Sequence, residues 1–155
     1  LVLDPTDPGT AAELACKSEH YQWQIEFLID NVGFTTSGGS SQSDLRTQLD
    51  LFQVNITALT ELTHHFLPDM LARGRGRVLN VAPTAAFTPG PLMATYSASE
   101  GYVLSLFERL AEEVRGSGVY VTALCPSPVE TGFQARATSG PAVDAQRARS
   151  GLPRH

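Results

Sequence analysis

The stretch VAPTAAFTPGPLMATYSASEGYVLSL, residues 81–106, leaves a strand, crosses a loop rich in proline and glycine, and enters a helix near Tyr96. Working outward, RVLNVA (77–82) precedes it as an apolar run, and VYVTALC (119–125) follows it as another. The helix between them, about 94–115, sets Val103, Phe107, Leu110 and Val114 on one side. Strand, helix and strand in succession read as a parallel βαβ unit.

The alternation continues upstream. LVLD (1–4) is a short apolar run closed by Asp4 and Pro5 and is predicted as a strand, followed by a helix from Pro8 to about Gln22. IEFLIDN (25–31) is a second strand, and Phe34–Ser43, rich in Gly, Ser and Thr, is a loop. Ser43 or Asp44 can cap the helix after it. From Leu45 to about Ala72 the apolar residues Leu51, Phe52, Leu59, Leu62, Phe66 and Met70 recur at helical spacing, with a possible break near the start. VYVTALC runs apolar, as a strand buried on both faces does. The expectation is an α/β chain: an incomplete Rossmann-like parallel sheet of about four strands with helices on both faces. Residues 1–133 would form its one domain, and 134–155, rich in Ala, Arg, Gly and Pro, a tail.

At 155 residues the chain can bury a sizeable core. A net charge of −5 gives no basic field for nucleic acid or an anionic membrane, so neither is expected as a partner. Cys16 and Cys125 lie on different elements without a CxxC, which makes reduced thiols and a cytoplasmic location the default. Trp23 and Phe27 read as packing residues, and Cys125 as a small apolar filler. His64 and His65 lack the partners of a metal site. Because LVLD already reads as a strand and Leu1 is not Met, the chain is expected to start inside a fold.

Several motifs in order carry a resemblance. DPTDP (4–8), DNVG (30–33), Asn55 in FQVNITA, Tyr96 in AFTPGPLMATYSAS and PSPVET (126–131) are together similar to the classical short-chain dehydrogenases/reductases, in their bacterial branch. The resemblance implies a doubly wound sheet with its site at the carboxyl ends of the strands, and NAD(P)-dependent alcohol oxidation or ketone reduction. It implies Tyr96 as the catalytic tyrosine and Asn55 as the holder of a relay water. It also implies cofactor contacts at Asp4, Asn31, Gly33, Pro126 and Thr131.

The departures fall on the chemistry. No TGxxxGxG turn is present, and SGGSS (37–41), which comes after the DNVG strand, reads as an ordinary loop. The family serine position, thirteen residues before Tyr96, is Pro83, which offers neither a hydroxyl nor an N–H; Thr84 beside it points another way. The lysine position, four residues after Tyr96, is Glu100, on the same helix face. A carboxylate there raises the phenol pKa and repels an anionic cofactor. Glu100 reads either as a partner of Tyr96 in acid/base chemistry or, more plainly, as a solvated or hydrogen-bonded helix residue. Each of these replacements is one nucleotide change from the family residue.

Three readings are open. The first is a short-chain dehydrogenase relative that has lost hydride transfer and NAD(P) binding. The second is a cofactor-independent isomerase, lyase or cyclase using Tyr96, Glu100 and Asn55. The third is a non-catalytic subunit, homo-oligomeric or paired with another protein through the helices 45–72 and 94–115. The first strand cannot hold its family place without the strands between, so bare sheet edges are expected to need a partner or cover.

Overall fold

The computed structural model describes residues 1–36, 38–82 and 92–126. Pro83, Thr84, Thr131 and the boundary proposed at residue 133 lie outside the described residues. The elements run α1 (Thr10–His20), β1 (Phe27–Asp30), α2 (Leu45–Phe52), a π-helical segment (Gln53–Ala58), α3 (Leu59–Arg73), β2 (Gly76–Val81), α4 (Ala94–Glu113) and β3 (Val119–Leu124).

Three parallel strands stand in the order β1-β2-β3. Phe27 to Asp30 pair with Arg77 to Asn80, and Gly76 to Val81 with Val119 to Leu124. Side chains alternate across the sheet, so Leu28, Val78, Val119 and Val121 point to one face with Asp30 and Asn80 at its carboxyl end. Against that face α3 brings Leu59, Phe66 and Met70, and α4 brings Val103 and Phe107, closing a single core cluster. α1 packs on α3 through its small residues Ala11, Ala15 and Ser18.

Two expectations about the sheet are corrected. LVLD forms no strand; it is coil, with Val2 97% exposed, because no neighbouring strand receives it. The described helices also lie on one face of the sheet, not two. A right-handed crossover from β1 to β2 and another from β2 to β3 advance in the same direction, so handedness sends both connections to the same side. The opposite face stays open: Phe27 is 62% exposed, and Ile29, Tyr120 and Leu124 are exposed beside it. β3 is therefore buried on one face only, and Phe27 and Trp23 are surface residues rather than packing ones, Trp23 stacking on Tyr21 at 5.3 Å.

The long helix is continuous from Leu45 to Arg73, with a π-helical turn where a break was expected. Asp44 is its cap, accepting from the Thr47 amide at 2.9 Å and the Thr47 hydroxyl at 2.7 Å. It ends at Gly74 in the left-handed conformation (φ 65°). Gly118 (φ 85°) faces that turn so closely that a Cβ there would sit 2.0 Å from the Gly74 carbonyl oxygen.

Candidate functional site

α4 buries Tyr96, Ser99, Glu100, Val103 and Phe107, a stripe at spacings of three and four that faces the core. Glu100 therefore sits on the apolar face by its phase in the helix. It is only 6% exposed, which corrects the reading of it as a solvated residue. Burial pushes its carboxyl up to about 7. Tyr96, third residue of α4, is buried as well; burial raises its phenol well above the ordinary value, and the nearby Glu100 carboxylate raises it further. The sequence anticipated the second cause, and the structure makes it the lesser one.

Asn55 stands on the π-helical segment, where a widened turn presents side chains that a regular helix would not. Its Nδ2 donates to the Phe34 carbonyl at 3.3 Å and to Ser99 Oγ at 3.2 Å, while its Oδ1 accepts from the Phe34 amide at 3.3 Å. Ser99 Oγ in turn donates to the Tyr96 carbonyl at 2.8 Å. One amide thus ties the loop after β1 to the second turn of α4. Gly33 lies against it, since a Cβ at that position would be 3.4 Å from Asn55 Oδ1. Both Asn55 N–H groups are engaged within the protein, which leaves only carbonyl capacity for a relay water.

The remaining residues singled out in the sequence are placed apart or outside. Asp4 is exposed in the turn before α1, its Oδ1 accepting from the Thr6 amide and hydroxyl at 2.9 and 2.8 Å, contacts that hold its carboxyl below the usual range. Asn31 is exposed just after β1, and Pro126 is half-buried just after β3. Pro83 and Thr131 fall outside the described residues. In the SGGSS loop the Gly38 amide donates to the Leu92 carbonyl at 2.8 Å, so it is committed to closing the loop onto the start of α4. Beside that contact a polar crevice is lined by Thr36, Ser40, Ser43, Gln48 and Thr95.

Ser99 went unnoticed in the sequence, and Asp30 was read only as a member of the DNVG motif, without its burial. Ser99 was readable as the residue three past Tyr96, on the same face. Asp30 shares the parity of buried Leu28 in a period-two strand, which was the signal for its burial. Its Oδ2 has no hydrogen-bond partner, and burial pushes its carboxyl up to about 7.

The donor set decides whether an anionic dinucleotide suits these residues. The described lysine and arginines are engaged elsewhere: Lys17 with Glu13, Arg46 with Asp50, Arg73 with Asp69, Arg75 with Glu26, Arg115 with Glu112, Arg77 over Tyr120, and Arg109 on the Ser105 carbonyl. What the described residues bring to the carboxyl ends of the strands and to α4 is two buried carboxyls. That chemistry does not fit a polyanionic cofactor. Among the described residues no group of three or more His, Cys, Asp or Glu could hold a metal ion, and no helix is long and apolar enough to cross a membrane.

A parallel sheet wound by right-handed crossovers, with a tyrosine opening the helix after its central strand, defines the class of partial Rossmann-like α/β proteins. The chain belongs to the short-chain dehydrogenase family, whose sequence model, described as short chain dehydrogenase, matches residues 2–142. It is similar to an uncharacterized oxidoreductase, YvrD, of Bacillus subtilis, at 34% identity over 69% of this chain and 41% of that one. It is also similar to the inactive 2-(S)-hydroxypropyl-CoM dehydrogenase 2 of Xanthobacter autotrophicus, at 29% identity over 91% and 61%. A short-chain dehydrogenase from Sphingobium yanoikuyae, solved in complex with NADPH, overlays with a TM-score of 0.81 at 30% identity, covering 97% of this chain and 56% of that one. The chain spans about half the length of these relatives, from 41% to 61%.

Proposed function

We propose that this chain is a short-chain dehydrogenase relative that does not perform the family's hydride transfer. The observation that carries this reading is Glu100, buried beside Tyr96 at the position expected for the family's lysine. A lysine there would lower the phenol pKa and attract the cofactor; the carboxylate does the opposite on both counts. Pro83 at the expected serine position removes the hydroxyl that would polarise a carbonyl. The Xanthobacter relative named an inactive dehydrogenase supports this reading. The test is titration with NADH and NADPH followed by fluorescence. No saturable binding is expected, whereas a Kd near 1 µM, worth about −8 kcal/mol, would overturn the reading.

A second reading keeps catalysis without the cofactor. A carboxyl near 7 is matched to general acid/base work at neutral pH, so Glu100 would move the proton and Tyr96 would orient the substrate oxygen. Asn55 would hold the loop rather than take part in the transfer. Unchanged turnover by Glu100→Gln, with whatever substrate is found, would remove it.

Association through the long helices is the third proposal. Leu45, Leu49 and Phe52 form an exposed stripe on α2, and Tyr102 is exposed on α4. Light scattering that finds a strict monomer at high concentration would count against this.

A further inference from the structure

The polar crevice between the loop after β1 and the start of α4 presents four hydroxyls and an amide, from Thr36, Ser40, Ser43, Thr95 and Gln48, and no charged side chain. Its loop wall is pinned at several points. Asn55 holds both the amide and the carbonyl of Phe34 at 3.3 Å, and Gln48 Nε2 donates to Thr36 Oγ1 at 2.9 Å. The Gly38 amide is bonded to the Leu92 carbonyl at 2.8 Å, and Ser43 Oγ donates to the Ser40 carbonyl at 3.0 Å. Leu92 makes its contact with φ at 70°, a conformation that is costly for a residue bearing a side chain. These bonds engage Thr36, Ser43 and Gln48 but leave the Ser40 and Thr95 hydroxyls without a partner among the described residues. α4 also opens at Met93 without a side-chain cap, so the amides of its first turn remain available as donors.

We propose that this crevice binds the terminal vicinal diol of a neutral polyol, with the Ser40 and Thr95 hydroxyls as its hydrogen-bonding partners and the Thr36–Gln48 pair as the wall that spaces them. The lining selects the class. A charged ligand would lose water there without gaining a counter-ion, because the adjoining charges are engaged: Asp44 accepts from Thr47, and Arg46 pairs with Asp50. An apolar group would leave the hydroxyls unpaired. A polyol hydroxyl both donates and accepts, as the serine and threonine hydroxyls do. The enclosed part of the crevice, about 10 Å³, holds roughly one hydroxyl group. Only the end of a ligand therefore enters, and its second hydroxyl is met at the rim, where Ser40 is exposed. The pinned wall reduces what binding must order. Thr95 directly precedes Tyr96, which sets the crevice at the border of the buried tyrosine site. The site stands whether or not hydride transfer is lost, so its test reads binding and not turnover.

The experiment titrates the isotope-labelled chain with four-carbon ligands and follows its amide signals by NMR. Erythritol is expected to move the Gly38, Ser40 and Thr95 signals saturably, with a Kd of about 10 mM or below. 1,4-Butanediol, which lacks the vicinal pair, should bind about tenfold more weakly, as should succinate and 1,4-diaminobutane. Thr95→Val keeps the side-chain shape and should weaken erythritol about fivefold to tenfold, while Thr95→Ser should restore it. Ser40→Ala, at an exposed position where folding is not at stake, should weaken it about threefold or more. Absence of a saturable shift with erythritol overturns the proposal, and so does equal binding of butanediol. Tighter binding of succinate or diaminobutane overturns it in favour of an ionic site. Unchanged affinity in both Thr95→Val and Ser40→Ala, or a Thr95→Ser variant as weak as Thr95→Val, overturns it as well.

Discussion

Glu100 and Asp30 place two acids in the core, and each has a consequence that titration can read. Their carboxyls rise from ordinary values of 4.5 and 3.8 to about 7. The folded state therefore holds protons that the unfolded chain has released. The associated stability is complete below the unfolded values and is lost as pH rises from about 4 through about 7. Unfolding at pH 8 should occur at a lower temperature than at pH 5. Asp30→Asn is expected to raise stability at pH 8 on the order of 3 kcal/mol while changing little near pH 4; an equal effect at both pH values would rule out burial of the charge as the cause. Ser99→Ala belongs to the same scale. It leaves an Asn55 N–H short of its acceptor, at about 1–3 kcal/mol by thermal unfolding. The identities of Tyr96, Asn55 and Glu100 were legible from motif spacing. The burial of Glu100 was legible only in the stripe it shares with Val103 and Phe107.

At the scale of elements, the sequence located three strands and three helical stretches to within a few residues, because each carries its own periodicity. LVLD failed for the converse reason. Its four residues look like a strand, but a strand exists only by pairing, and β1 has no described partner on that side. Loop geometry was equally hidden. Gly118 reads as one glycine among thirteen, yet its backbone is left-handed and presses on the carbonyl of Gly74. Gly118→Ala must strain φ and push two turns apart at once. A loss of about 2 kcal/mol or more is expected in denaturant unfolding, with Gly116→Ala, which meets no atom within 4 Å, costing less.

For the whole molecule, the α/β class came from alternating elements, while the distribution of helices over the faces did not. Both faces of VYVTALC are apolar, and only the strand order β1-β2-β3 tells which is covered. The asymmetry is measurable along a single strand. Leu28→Ala, in the core, is expected to cost about 2–4 kcal/mol, whereas Ile29→Thr, one residue on and facing out, should stay within about 0.5 kcal/mol. Equal losses in urea titrations would mean that the outer face is covered in solution.

The π-helical turn at Gln53–Ala58 is in effect one surplus residue wound into an otherwise continuous rod. Because each helical residue turns the axis by about 100°, that surplus sets the angular phase between α2 and α3. Excising a single position would rewind the rod as regular helix and rotate the Leu45, Leu49 and Phe52 stripe away from its present bearing. The same cut would swing Asn55 off Ser99, so the surface of the helix and the latch at Tyr96 are geared to one insertion.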